Sequence, residues 1–288
     1  RGLGDVYKRQ NIAVLLNGRK LNPIDLSGID WSCISIEEIE KIEIIQGTGA
    51  VLYGEGATSG VINIITKKPS KQLSVNTKYE GGSYNYNKES LSIVMGKKNS
   101  FVRIDRIHTS TDGYRANSFY RSNDVIFSAV LENSFLGEVS LEGAYKTYRY
   151  GLPSVLYDST IEEGATRKGT FSPWDNAQIE DGYGGVKLKQ IFDNSLLKES
   201  IFYHTRNTES DTISWNSYGK SELDDIQGRI ELLTHFNTFT LSHTAMAGVD
   251  YYYASYSNNT ESAWSISGTD VNKYSQGVFI KDLSLIHI

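Results

Sequence analysis

The residues able to do chemistry are present but dispersed. His108, His204, His235, His243 and His287 occur without a His-Glu-x-x-His pair or a Gly-x-Ser-x-Gly turn, so zinc hydrolysis and acyl transfer lack their required spacing. The pairs Glu162-Glu163 and Asp224-Asp225 lack the acidic ladder of a calcium loop and read as solvated carboxylates. Cys33 is the only cysteine, which excludes an intramolecular disulfide and a multi-cysteine zinc site, and it reads as a small buried apolar residue. Gly47-Thr48-Gly49 opens like a phosphate loop, yet Leu52 stands where a dinucleotide fingerprint needs its third glycine, and no Walker spacing follows. The chain is expected to be no enzyme, with no catalytic residue, no metal site and no cofactor.

Ligand recognition is better supported. Arginines and aromatic residues gather in polar segments: Tyr114, Arg115, Tyr120 and Arg121; then Tyr148, Arg149, Tyr150, Tyr157 and Trp174; then Trp215, Tyr218 and Trp264. Guanidinium groups beside aromatic faces suit a flat anionic or aromatic ligand, held by stacking, cation–π contact and charge-assisted hydrogen bonds. Arg115, Trp174 and Trp215 are the ligand-binding candidates. The competing reading is an interfacial belt of Tyr and Trp at lipid headgroup level, which suits Tyr145 and Tyr251 to Tyr253 better.

The elements that must position these groups are strands. The 288 residues include 19 Tyr and 26 Gly but only 4 Pro and 2 Met, and the net charge of −5 offers no basic field for nucleic acid. No apolar run is long enough for a transmembrane helix, but strands with one polar face also give a modest mean hydropathy, here −0.37. After Lys71 the apolar period is two. Val139, Leu141, Gly143 and Tyr145 oppose Ser140 and Glu142, while Ile226, Ile230 and Leu232 oppose Gln227, Arg229 and Glu231.

Connections alternate in length. Tight turns are expected at Lys97 to Ser100, Asn133 to Gly137, Asp193 to Ser195 and Phe236 to Thr238; long loops are expected at Ser110 to Ser122, Gly151 to Asp181, Ser210 to Glu222 and Ala254 to Asn272. About ten antiparallel strands in an up-and-down membrane barrel follow, apolar side to lipid and polar side to lumen. The alternative fold is a soluble antiparallel sandwich, serving as an adhesin or carbohydrate-binding module, but strands this long and connections this regular argue against it.

Before Lys71 the texture differs. Apolar runs at Ile12 to Leu16, Ile42 to Ile45 and Val61 to Ile65 are separated by polar or Gly-rich turns, and Ser35 with Glu38 forms a capping-box pattern opening one short helix. Residues 36–68, IEEIEKIEIIQGTGAVLYGEGATSGVINIITKK, closely resemble the end of the plug domain of TonB-dependent outer-membrane receptors, and Val14 to Gly18 resembles that family's preceding strand and turn. The resemblance places the C-terminal part of a plug at 11–70, a small α/β unit, and the N-terminal part of a β-barrel at 71–282. Its structural motif residues here are Glu43, Gly47, Gly49, Leu52, Tyr53, Gly54, Gly60 and Asn63.

The resemblance further implies outer-membrane location and TonB-energised uptake of a small molecule, with ferric siderophores the first choice and haem or cobalamin as other family substrates. Expected partners are TonB, acting through a segment N-terminal to this one, outer-membrane lipid and a ligand such as a metal chelate. One departure stands out: Gln46 replaces the arginine with which relatives link plug to wall, leaving Lys41 and Glu43 as polar anchors. Residues 1–10 and 283–288 fit neither neighbouring pattern and are expected to be non-native ends.

Overall fold

The computed structural model describes residues 12–24, 28–46, 53, 56–70, 72–133, 135–156, 166–238 and 241–286. Two sheets form. In the first, β1 (Ile12–Leu16) turns through Asn17 and Gly18, both at positive φ, into the two-residue β2 (Arg19–Lys20), the primed turn that an Asn-Gly pair favours. β4 (Gly60–Thr66) lies parallel to β1 and antiparallel to β3 (Ile39–Gln46), giving the order β2-β1-β4-β3. Both faces of β1 are covered. Ala13 and Leu15 pack with Ala57 and Val61 on one side, and Val14 and Leu16 pack with Ile64 on the other, which is why this strand reads as an unbroken apolar run. At Gly60 a Cβ would sit 2.8 Å from the Ile45 carbonyl oxygen, so the close approach of β3 requires glycine.

The helix expected after Ser35 is a single 3-10 turn, Ile36–Glu38. Its capping carboxylate is in place, Glu38 accepting from the Ser35 N–H at 2.8 Å, but β3 begins immediately and leaves no length for a second turn. A like turn covers Trp31–Cys33, capped by the Asp30 carboxylate.

The second sheet is a meander of ten antiparallel strands, each bonded to its sequence neighbours. The strands are β5 (Ser74–Gly82), β6 (Tyr86–Lys97), β7 (Ser100–Thr111), β8 (Tyr120–Asn133), β9 (Gly137–Gly151), β10 (Asn176–Phe192), β11 (Ser195–Thr212), β12 (Ser217–Thr238), β13 (Leu241–Ser262) and β14 (Ile266–Ile286). One continuous meander is the barrel-wall pattern and not two packed sandwich layers. Leu141, Tyr145, Val186, Ile201, Ile230 and Val249 are exposed on one face; Ala144, Lys146, Tyr148, Asp181, His204 and Asp225 are buried on the other, against the small sheet. The small domain therefore sits against the polar inner face of the wall.

Two expected loops are strand instead. Ser210 to Glu222 and Ala254 to Asn272 form hairpin extensions, closed by a 3-10 turn at Ile213–Trp215 and by residues 263–265. Above a membrane both faces of a strand meet water, so alternation fades while backbone pairing continues. The expected turn at Phe236 to Thr238 also moves, because those residues pair with Leu241, Ser242 and His243. At the far end the β13–β14 ladder runs through Ile286.

Candidate functional site

The small domain is fastened to the wall by buried polar contacts from two of its segments. In the first, residues 28–38, Lys146 Nζ reaches Glu38 Oε1 at 2.9 Å with both side chains almost wholly buried, and Ser35 Oγ donates to Asp124 at 2.6 Å. Glu37 pairs with Lys88 at 2.5 Å; burial alone would raise its pKa, but the hydrogen bond and charge of Lys88 hold it below the usual carboxylate range. The Tyr148 hydroxyl donates to Asp30. In the second segment, the β1–β2 hairpin, Asn17 donates to Glu142 at 3.0 Å, and the Lys20 peptide exchanges hydrogen bonds of 2.7 and 2.9 Å with the Gln227 amide. Arg19, also buried, lies 4.4 Å over the Tyr183 ring.

Around these anchors the inner wall carries its own charge network. His204 bridges Asp181 at 3.1 Å and Asp225 at 2.7 Å, and Arg206 Nε donates to Asp181 at 2.7 Å. Cys33 faces this network, and burial pushes its thiol up to about 11, so it stays protonated and unreactive at neutral pH. Next to the network a cleft of about 420 Å³ opens between Pro23, Ile29 and Asp30 on one side and Tyr150, Arg206 and Tyr256 on the other. Its wall residues lie toward the long-loop ends of β9, β11 and β13. Aromatic rings, a guanidinium and backbone edges converge there, a set that can hold a partly aromatic anionic molecule.

The sequence-chosen ligand residues lie above this cleft on three loops that the structure ties together. Arg115 donates to the carbonyls of Pro153, Ser154 and Gly169, at 2.8 to 3.2 Å, so its guanidinium joins the β7–β8 loop to the β9–β10 loop. Asn117 adds bonds to Ser172 and Asp175 carbonyls, and Asp175 accepts from the Ser214 N–H at the β11–β12 tip. Trp174 and Trp215 stay largely exposed, at 70% and 75%.

Of the motif residues, Tyr53 packs against the Ala13–Val61 cluster, with Arg229 5.9 Å from its ring. Glu43 pairs with Lys41 on β3 at 2.7 Å and accepts from Asn63 at 3.4 Å, so these two anchors serve the small sheet itself. Gly47, Gly49, Leu52 and Gly54 lie outside the described residues, as does Tyr157. Sequence reasoning missed Asp30, Glu38, Lys146 and Arg206 as functional groups. Lys146 and Arg206 do fall on the polar side of their strands, but nothing local pairs Lys146 with Glu38, 108 residues away, or sets Arg206 across a cleft from Asp30.

The plug-domain family of TonB-dependent receptors matches residues 1–61. The whole fold is also shared with solved receptors: the unliganded ferric citrate transporter FecA aligns with TM-score 0.77 and 16% identity over 96% of this chain and 45% of its own. Together the matches support a fragment of a TonB-dependent outer-membrane receptor. The siderophore receptor PiuA from Acinetobacter baumannii aligns similarly, with TM-score 0.75 and 14% identity, over 96% of this chain and 48% of its own. By sequence, the receptor is similar to the vitamin B12 transporter BtuB of Photobacterium profundum, 26% identical over 57% of this chain and 30% of that protein. It is also similar to the ferric enterobactin receptor PirA of Pseudomonas aeruginosa, 32% identical over 25% of this chain and 11% of that protein. The chain thus spans less than half the length of the relatives it matches. Within the receptor the small sheet is the plug, the meander is barrel wall, and the location is the outer membrane.

Proposed function

We propose that this receptor captures a ferric siderophore at its outer face and passes it inward when TonB, acting through a plug segment N-terminal to the described residues, displaces the plug. The observation that carries the reading is the cleft between plug and inner wall, where Arg206, Tyr150 and Tyr256 meet Ile29 and Asp30 beneath loops bearing Trp174 and Trp215. An iron chelate presents negative charge and flat rings, which a guanidinium and tyrosines complement. In this reading Trp174 and Trp215 make first contact, and Arg115 contributes by holding the loops that carry Trp174. The motif residues 43–63 shape the plug and take no part in ligand contact.

Cobalamin is the second reading, supported by the longer stretch of similarity to BtuB. The deciding experiment uses the full-length receptor, measuring binding of a siderophore panel, haem and cobalamin, then repeating it with Arg206→Ala, Trp174→Ala, Trp215→Ala and Arg115→Ala. Truncating a buried anchor costs about 2 kcal/mol or more of affinity. Tight binding of cobalamin alone would overturn the siderophore reading, and unchanged affinity in all four variants would remove these residues from the site.

A further inference from the structure

On the lipid-facing side of the wall two arginines stand directly opposite each other. Arg121 of β8 and Arg149 of β9 are register partners, on the same face as Val125, Phe127, Leu141 and Tyr145, and opposite the face that buries Asp124, Lys146 and Tyr148 against the plug. Like charges directly across an antiparallel pair repel, so this placement is unfavourable unless something offsets it. Part of the offset is internal: the Phe119 ring lies 5.4 Å from the Arg121 guanidinium and 6.0 Å from that of Arg149. Charge compensation from the protein is slight. Among the described residues, Arg121 has one carboxylate neighbour, Asp112 at 3.6 Å, with both side chains more than half exposed, and Arg149 donates to the neutral amide of Asn176 at 3.0 Å. Glu180, opposite Thr147, stands one outward position below.

Depth identifies what lies alongside. Arg149 stands twelve residues beyond Gly137, where β9 leaves its periplasmic turn. At about 3.3 Å per residue and a tilt near 40°, that is roughly 30 Å, just past an apolar band about 25 Å tall. It also lies two outward positions past Tyr145, the belt residue of the same strand. Arg106, on the outward face of β7, pairs with Val125 and so stands two outward positions below Arg121, from where a long side chain can reach up toward that level. The outer leaflet of this membrane is built of phosphorylated glycolipid, whose headgroup phosphates lie at that height.

The geometry points to a lipid-binding site: Arg121 and Arg149, with Phe119 between them and Arg106 below, hold a headgroup phosphate of an outer-leaflet glycolipid against the wall. A phosphate accepts hydrogen bonds from two guanidinium forks at once, which turns the repulsive pair into a clamp. The site is separate from the ligand cleft and stands or falls independently of the siderophore reading.

The test is native mass spectrometry of the purified full-length receptor, delipidated and incubated with bis-phosphorylated lipid A, with enzymatically dephosphorylated lipid A, or with phosphorylated lipid A plus millimolar inorganic phosphate. Wild type is expected to retain the phosphorylated lipid at least tenfold more than the dephosphorylated one, undisturbed by inorganic phosphate. Arg121→Gln/Arg149→Gln should lose that preference while keeping the heat-modifiable gel mobility of a folded barrel. Arg106→Gln should reduce retention by a smaller factor. Equal retention of both lipids, an unaltered preference in the double variant, or displacement by inorganic phosphate would overturn the assignment. If the double variant fails to fold, Phe119→Ala gives the same readout: a fall in phosphate-dependent retention supports the clamp, and no change overturns it.

Discussion

At the scale of single residues, the plug is held by a few charges whose partners are far away in sequence. Lys146 and Glu38 are almost completely buried, and removing one member of such a pair strands the other. Lys146→Met in the full-length receptor should destabilise the seated plug by about 3 to 5 kcal/mol, and adding Glu38→Gln should recover much of that loss. Denaturant unfolding of the plug in detergent-solubilised receptor would check both, and additive losses would show that the two residues act separately. Cys33 supplies a second readout, since its buried thiol is pushed up to about 11. Maleimide labelling of the resting receptor at pH 7 should be slow, rising about tenfold per pH unit as the thiolate fraction grows toward that value, and should become fast when the plug is displaced. Rapid labelling at neutral pH with the plug seated would contradict the burial. The identity of these groups was readable in the sequence, but their pairing was not: Lys146 on a polar strand face has dozens of equivalent positions, and only the docked fold selects Glu38.

At the scale of elements, the two-residue period told which face meets lipid, and the structure exposes Leu141 and Ile230 on that side. Arginine at either position should cost about 2 to 4 kcal/mol in a membrane refolding assay if the site is near the midplane. The natural lumen controls, Glu142 and Glu231, prove unsuitable because both are engaged, Glu142 with Asn17 and Lys187 and Glu231 with Lys198 and Arg229. Ser140→Arg is the better control; it sits on the lumen side between Glu138 and Glu142 and should cost much less. Equal losses on both faces would remove the lipid-facing assignment. The same period misled where it stopped. Ser255, Ser257, Asn258, Asn259 and Thr260 read as loop because neither face is apolar, yet they pair in register with β12 and β14. Loss of alternation marked where the strand leaves lipid, not where it ends.

At the scale of the whole molecule, plug and wall read as distinct textures on either side of Lys71, and the structure keeps them as two sheets with separate strand orders. Cohesion between them is mostly polar, which suits the plug displacement proposed above. A full-length receptor lacking the plug should still insert, but with a larger passive conductance across a planar bilayer. An equally closed barrel without the plug would show that this segment does not occlude the lumen.

The last three hairpins have a consequence of their own. β12 and β13 are 22 residues each, where a tilted crossing of the apolar band needs about ten. At about 3.3 Å per residue and a tilt near 40°, each strand rises roughly 55 Å along the membrane normal, leaving a parapet roughly 30 Å tall beyond the band. Trp215 and Trp264, 75% and 94% exposed, crown it. A particle too bulky to enter between the loops, such as an antibody, still reaches that crest first, so an outside observer knows this protein by Trp215 and Trp264 long before anything touches its inner wall.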